Sequence, residues 1–276
     1  MRARKRFGQH FLEPAWVTKV VKAVDAKPDE HILEIGPGRA AITRPLAEQC
    51  GRLLAVEVDR DLAAELDATK PANLTLVLGD VLEVDLPAVI SEWLGAPLGP
   101  DHSVRIVGNL PYNISSPILF ALLNLAASTG GVRDAILMLQ KEVADRLVAK
   151  VGTGDYGVLT VLTRVNADVT RLLSLPPGAF RPAPQVHSAV VRLAFRPPTV
   201  DIPDMAGFTR MVRTTFTQRR KTLSNALKPF GLERSVAPVQ ALATAGVDGQ
   251  RRPETLDMAE MAALFRAFHS HRVNPD

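Results

Sequence analysis

His31-Ile-Leu-Glu-Ile-Gly-Pro-Gly38 joins a short apolar run to a glycine-rich turn. The run reads as a buried strand over 31–35, and the segment after the turn, to Gln49, reads as a helix. Leu53-Leu-Ala-Val-Glu-Val58 is a second strand. Asp59 can cap a helix over Arg60–Lys70, which Pro71 stops. Leu74–Leu78, Val104–Val107 and Ala135–Leu139 are further strands. A helix from about Ser116 to Ala127 separates the last two, and Glu142–Val151 is a helical pattern. Strands alternating with helices predict an α/β fold, a parallel sheet with helices on both faces.

Beyond this unit Val158, Leu159, Val161, Leu162 and Val165 recur at helical spacing. Two more strands are expected, Asp168–Leu173 and Ser188–Ala194. Between them Pro176–Pro184 is too rich in proline for regular structure. Arg196-Pro-Pro198 reads as a linker, and the remaining pattern is helical: Met205–Thr217, Lys221–Lys228, Val236–Ala243 and Leu256–His269. The expected organisation is an α/β domain over 1–197, with a basic arm at 1–12, and a small all-helical domain over 198–276.

Composition narrows the class. Apolar residues make up 46% of the 276, enough for a real core, so wholesale disorder is excluded. Cys50 is the single cysteine, so no internal disulfide can form, and a reducing compartment suits the chain. No apolar run approaches a membrane span, and Phe7-Gly8-Gln9-His10 stands where a leader would carry its apolar stretch. A cytoplasmic monomer is therefore expected. The six histidines show no metal-ligand spacing, so no metal is expected. The net charge of +4 hides an asymmetry: Pro28–Pro100 carries 5 Lys or Arg against 13 Asp or Glu, whereas Arg164–Lys228 carries 11 against 3. A polyanion would be drawn to the second stretch; a solvated surface of uneven charge is the plainer reading.

The turn at Gly36 and Gly38 lets a ligand approach the backbone closely. Gly36-x-Gly38-x-x-Ala41 also fits a relaxed dinucleotide fingerprint, so a nicotinamide dinucleotide is one reading. Glu57, about twenty residues on, ends the second strand, where an acid can accept from both hydroxyls of a ribose. Asp80 follows the third strand and can accept from an adenine amine. Two carboxylates beside one ligand suit a nucleoside with a cationic tail, such as S-adenosylmethionine, better than a pyrophosphate. Helix capping and strand ending are the plainer parts for these acids, and for Asp59 and Asp61 the expected ones.

Asn109-Leu110-Pro111-Tyr112 follows the fourth strand at its C-terminal end, where open α/β sheets bind ligands. The lone pair of an adenine amine is delocalised into its ring, and acceptors aimed at the two N–H bonds help to localise it. The Asn109 side-chain oxygen and the Leu110 carbonyl can be those acceptors. Pro111 restrains the turn, and Tyr112 offers a face for the base. The competing reading is an Asn cap before a proline turn, with the tyrosine simply packed.

Seven stretches in order resemble the small-subunit ribosomal RNA adenine dimethyltransferases, relatives of the erythromycin-resistance methyltransferases and of a mitochondrial transcription-factor branch. They are Lys5–Leu12, Glu34–Gly38, Glu57–Asp59, Asn109–Ser115, Leu139–Val143, Phe180–Val186 and Arg219–Asn225. The resemblance implies a Rossmann-like, class I methyltransferase sheet of seven strands, the last antiparallel, with a helical tail domain. It implies that His10, Leu12, Gly36, Gly38, Glu57, Asp80 and Asn109 hold S-adenosylmethionine. The family often has Asn where this chain has His10, and imidazole still donates or accepts one hydrogen bond. The implied substrate is a pair of adjacent adenosines in the 3′-terminal hairpin loop of small-subunit (16S) rRNA, each dimethylated during ribosome biogenesis. The implied partner is the small ribosomal subunit.

The resemblance also sets the proline-rich loop against the active site, where Phe180 can sandwich the base opposite Tyr112; a buried anchor for the loop is an equal reading. Arg210, Arg213, Arg219, Arg220 and Lys221 lie in a stretch without acids between Asp204 and Glu233, and can meet RNA phosphates or form a solvated face. Three rivals share some of these features: a macrolide-resistance methyltransferase of large-subunit rRNA, a non-catalytic assembly or transcription factor, and a nicotinamide-dependent dehydrogenase. Arg219–Asn225 and Leu110 favour the small-subunit enzyme over the first. The intact Glu57, Asp80 and Asn109–Tyr112 set argues against the second, and the basic tail against the third.

Overall fold

A computed structural model describes residues 10–270. Residues 1–9, with the basic arm's Arg2, Arg4, Lys5 and Arg6, and residues 271–276 lie outside the described residues. Contacts divide the chain into two units, Met1–Ala144 with Ala167–Arg196, and Asp145–Asn166 with Pro197–Asp276.

In the first unit β1 (Phe11–Leu12) leads into α1 (Pro14–Val24), whose Pro14 sits at the first turn, where a missing N–H costs nothing. β2 (His31–Ile35) is buried along almost its whole length. After its turn α2 is short, Thr43–Ala47. The helix expected from the turn to Gln49 begins late because Ala40 holds a left-handed φ of 59°, a conformation that cannot continue a right-handed helix. β3 (Arg52–Glu57), α3 (Arg60–Asp67) and β4 (Leu74–Leu78) follow, with the Asp59 side chain accepting from the Asp61 N–H as expected of a cap. α4 (Leu86–Leu94) is a helix beyond those expected from the sequence; the Asp85 carboxylate caps it through the Ala88 N–H. β5 (Val104–Asn109), α5 (Ser115–Thr129) and β6 (Val132–Gln140) complete the parallel part. α6 (Lys141–Val148) and α7 (Val158–Asn166) lead to β7 (Ala167–Leu175), β8 (Phe180–Arg181) and β9 (Ser188–Phe195).

The sheet runs β4-β3-β2-β5-β6-β9-β7. The first five strands are parallel, and β9 is antiparallel to both neighbours. Sequence order reverses between β2 and β5, so the crevice beyond their C-terminal ends is where a doubly wound sheet takes its ligand. The proline-rich segment carries more structure than expected. Its β8 pairs antiparallel with β1, Leu12 facing Phe180.

The second unit is helical: α7, α8 (Met205–Thr217), α9 (Leu223–Ala226), α10 (Lys228–Arg234), α11 (Pro238–Ala245) and α12 (Met258–Ser270). It takes up the chain from Pro197, and Asp145–Asn166 also belongs to it. The reason is packing, since α7 lies against α8 and α12, and Tyr156 meets Phe216 at 6.2 Å between ring centroids. The helix expected over Lys221–Lys228 is two helices. Pro229 at the start of α10 cannot donate into the preceding turn, so a new helix begins there. Phe208–Phe265 and Phe230–Phe268 are edge-on pairs at 5.7 and 5.2 Å in the core of this unit.

Candidate functional site: a cavity at the strand switch point

One cavity in the first unit is lined by the turn after β2, the ends of β3, β4 and β5, and the β1 strand. His10, Leu12, Gly36, Gly38, Glu57, Asp80, Asn109, Leu110, Pro111 and Tyr112 all line it. The structure therefore brings together every sequence-predicted cofactor residue and the whole Asn109–Tyr112 tetrad.

Gly36 and Gly38 both sit at positive φ, 67° and 56°, where a side chain would be strained. Their N–H groups are already engaged. Gly36 N donates to the Val56 carbonyl at 2.9 Å, and Gly38 N donates to Glu57 Oε2 at 2.9 Å. A pyrophosphate-binding turn needs such N–H groups free and aligned with a helix N-terminus directly behind. Here α2 starts only at Thr43. The local geometry therefore suits a nucleoside held by carboxylates rather than a dinucleotide held by its phosphates.

Glu57 is 5% exposed, and its Oε1 accepts from the Asp59 N–H at 2.9 Å. Both oxygens are thus fixed by backbone, and an ionised carboxylate has about four acceptor sites, which leaves capacity for two hydroxyls. Asp80 is fixed in the same manner through Oδ1, which accepts from Leu82 N at 2.9 Å. Val58 and Val81 also line the cavity and offer apolar sides for a purine.

Glu34 has a part here that the sequence did not assign to it. It is 3% exposed, lines the cavity, and its Oε2 has no hydrogen-bond partner among the described residues. Burial pushes its carboxyl up to about 7, with the Glu57 charge adding to the rise. A buried acceptor without a donor is costly, and a cationic ligand group in the cavity relieves that cost. An acid inside an otherwise apolar strand, Ile-Leu-Glu-Ile, is the visible clue. With Glu57 and Asp80, this orphaned oxygen fits S-adenosylmethionine: acceptors for ribose and purine, and a carboxylate for the ammonium or sulfonium.

At the other side of the cavity, Leu110 N donates to the Met138 carbonyl at 3.2 Å and the Leu110 side chain is 1% exposed. The tetrad is therefore pinned to β6 through its backbone. Asn109 Nδ2 donates to the His10 carbonyl at 3.3 Å, which leaves its Oδ1 as the acceptor. His10 Nδ1 lies 2.8 Å from the Pro182 carbonyl, and because a carbonyl only accepts, Nδ1 carries the proton. The His10 ring stacks on Tyr112 with centroids 5.6 Å apart and planes inclined by 22°. The Tyr112 hydroxyl lies 2.6 Å from Ser188 Oγ, a contact across the chain that no local pattern announces. Burial raises the Tyr112 hydroxyl above its usual value, with the Ser188 hydrogen bond opposing, so the phenol stays neutral at physiological pH.

Phe180 does not line the cavity. It is fully buried among core residues that include Leu12 and Val190. The β1–β8 pairing turns its ring inward, so in this structure it anchors the proline-rich loop and presents no face to a base. In the second unit Arg210 and Arg213 lie on α8, and Arg219, Arg220 and Lys221 lie in the turn that follows. Arg210 pairs with Glu233 at 3.0 Å, Arg219 is half-buried, and Arg220 and Lys221 are exposed. Among the described residues no group of acids, histidines or cysteines has a metal-binding arrangement, and no helix is long and apolar enough to cross a membrane.

Comparison with known proteins agrees with this geometry. Residues 1–269 match the family model described as ribosomal RNA adenine dimethylase. A ribosomal RNA small subunit methyltransferase A of Geobacter metallireducens is 44% identical over 97% of this chain and 96% of its own. One of the same name from Xanthomonas campestris pv. campestris is 46% identical over 95% of each. Among solved structures, a dimethyladenosine transferase from Plasmodium falciparum superposes with a TM-score of 0.75 at 22% identity, covering 95% of this chain and 98% of that one. The 23S rRNA methyltransferase ErmE gives 0.65 at 25% identity, covering 94% and 99%. A class I methyltransferase sheet and a match over nearly the whole length place the chain in the ribosomal RNA adenine dimethylase family, as an adenine methyltransferase of ribosomal RNA.

Proposed function

We propose that the protein transfers methyl groups from S-adenosylmethionine to the 6-amino groups of two adjacent adenosines in the 3′-terminal hairpin loop of small-subunit (16S) rRNA, two to each, as a cytoplasmic monomer acting on the maturing small subunit. The observation that carries this reading is the pairing, in one cavity, of the carboxylates Glu34, Glu57 and Asp80 with the Asn109–Tyr112 tetrad. Identity of 44% and 46% to proteins named for the small subunit supports the choice of subunit.

In this reading Glu57 accepts from the ribose hydroxyls, Asp80 from the adenine amine of the cofactor, and Glu34 faces its cationic tail. Gly36 and Gly38 keep the turn low enough for close approach, and His10 and Leu12 close the near side. The cofactor supplies an electrophilic methyl group on a sulfonium. Asn109 Oδ1 and the Leu110 carbonyl accept from the two N–H bonds of the target amine and aim its lone pair at that methyl. When bound, the cofactor would give its methyl to that lone pair and keep the sulfur's electrons, and the amine would release one of its own protons to water. Tyr112 stacks the base. Positioning and electrostatics supply the rate, with no strong base required. Arg210, Arg213, Arg219, Arg220 and Lys221 neutralise phosphates and so capture the RNA. Arg210 exchanges Glu233 for a phosphate at little cost, since exposed ion pairs are worth about 0–1 kcal/mol.

Methyl transfer from labelled S-adenosylmethionine to undermethylated small and large ribosomal subunits, with the modified nucleoside identified by mass spectrometry, tests the reading. Dimethyladenosine in small-subunit rRNA is the expected product. Label in the large subunit moves the protein to the resistance type. Bound cofactor with no label on either subunit points to an assembly factor.

A further inference from the structure

Tyr112 is held from two sides by residues outside its own motif. Its hydroxyl lies 2.6 Å from Oγ of Ser188, a residue that is 1% exposed at the start of β9. Its ring is covered on one side by the His10 imidazole, which the Pro182 carbonyl fixes through Nδ1. A base slipped between two rings needs each about 3.5 Å away, roughly 7 Å in all. The 5.6 Å between the His10 and Tyr112 centroids is too little, so the platform reading requires the base on the other face of Tyr112, with His10 backing the ring. Phe180, fully buried, supplies no opposing wall in this structure. The orientation of one tyrosine ring then sets where the target amine sits relative to Asn109 Oδ1.

From these contacts we infer that Ser188 is a positioning residue for methyl transfer, which acts through the Tyr112 hydroxyl to fix the ring plane against which the target adenine stacks. The inference rests on the reading of Tyr112 as that platform. Ser188 is suited to the part because its strand is placed independently of its hydroxyl: its Cα is paired with Gln140 of β6 and Leu175 of β7. Those strands fix where the Oγ stands, and a tyrosine has only two side-chain torsions, so one hydrogen bond at the far end of the ring removes most of its remaining freedom. A misplacement of about 1 Å at a reacting centre is enough to slow a reaction severely.

The test is a double-mutant cycle on the full chain with Ser188→Ala, Tyr112→Phe and both together. Single-turnover methyl transfer is measured at saturating RNA and cofactor, alongside the Kd of each. Each single change is expected to slow transfer about tenfold, which is about 1.4 kcal/mol. The double variant is expected to be no slower than Tyr112→Phe, because Ser188 has nothing left to act through. Both Kd values stay within about twofold of the parent. Losses that multiply in the double variant, or a Ser188→Ala defect confined to cofactor affinity, overturn the inference. Should Ser188→Ala not fold, Ser188→Cys, close in size with a weakly bonding thiol, takes its place in the cycle with the same expected coupling. Tyr112→Ala separates the two levels. If it leaves the rate unchanged, the platform reading itself fails. If it is slow while Ser188→Ala is not, only the inference about Ser188 is overturned.

Discussion

The two ends of the same sheet treat buried charge in opposite ways. At the N-terminal ends of β5 and β6, Arg105 is 6% exposed and Asp134 is fully buried. Arg105 meets Asp134 through two parallel bonds, Nε to Oδ1 at 2.8 Å and Nη2 to Oδ2 at 3.1 Å, and meets Glu30 through Nη1 at 2.8 Å. Arg192 adds a bond to Asp134 at 2.8 Å, and Arg133 pairs with Glu30. At the C-terminal ends, among the described residues, Glu34 is buried with one oxygen unpartnered, and Glu57 and Asp80 accept from backbone N–H groups. Buried charges that are matched in full hold strands in register. Acceptors fixed in place and left with spare capacity wait for a ligand.

Breaking the matched end should cost stability and spare chemistry. Asp134→Ala leaves Arg105 buried with half its partners gone and is expected to lower unfolding free energy by about 3–5 kcal/mol, read from a denaturant midpoint. Transfer per folded molecule should stay within about twofold of the parent. A midpoint that hardly moves would mean the network is ornamental. Breaking the open end should do the reverse. Asn109→Ala is expected to slow transfer by about a hundred- to a thousandfold, with RNA affinity and midpoint nearly unchanged. If it instead weakened RNA binding and left transfer per complex intact, Asn109 would be an RNA contact and not an acceptor for the amine.

The open end is far more legible in the sequence than the matched one. Glycines, a strand-end acid and the Asn-Leu-Pro-Tyr tetrad are punctuation at fixed places in a strand–helix alternation, so Gly36, Glu57, Asp80 and Asn109 stand out from order alone. The Tyr112–Ser188 and Asn109–His10 contacts join residues far apart in the chain, which periodicity cannot relate. Phe180 suits a stacking face and a loop anchor equally in the sequence, because only the β1–β8 pairing decides which way its ring turns. Ala40 gives no warning that α2 starts late, since alanine normally favours helix and here stands at positive φ. Pro229 does mark the break between α9 and α10, although the helical spacing around it runs on unbroken. That Asp145–Asn166 belongs with the later helices follows from packing, which a linear boundary cannot express.

Glu34 gives the contrast a pH dependence. Its folded value of about 7 lies above its ordinary value of 4.5. The folded protein therefore holds more proton than the unfolded chain between those values, and without ligand it loses stability as pH rises through that window. Glu34→Gln, neutral and of the same shape, removes the titration. Relative to the parent, the variant should gain stability from about pH 5 to about pH 8, by on the order of a few kcal/mol. In the parent, cofactor affinity should rise over the lower part of that range, because a cationic tail favours the ionised carboxylate; in the variant that rise should be absent. Parallel stability profiles for the two proteins would show that Glu34 stays charged in the empty cavity.

The smallest expected effect lies in the second unit, where charge is exposed and each interaction is weak. Arg219→Ala with Arg220→Ala is expected to weaken RNA binding at low salt and to flatten the dependence of log K on log salt, by roughly 0.7–0.9 for each phosphate no longer neutralised. Stability should change by less than about 1 kcal/mol, since Arg220 is exposed and Arg219 only half-buried. A slope that does not change would make this turn a solvated face. Transfer at saturating RNA should match the parent, because these side chains act on capture and not on the amine. A fall in the saturated rate would instead show that this turn also sets the register of the target adenine, and the division between a capturing unit and a reacting unit would have to be redrawn.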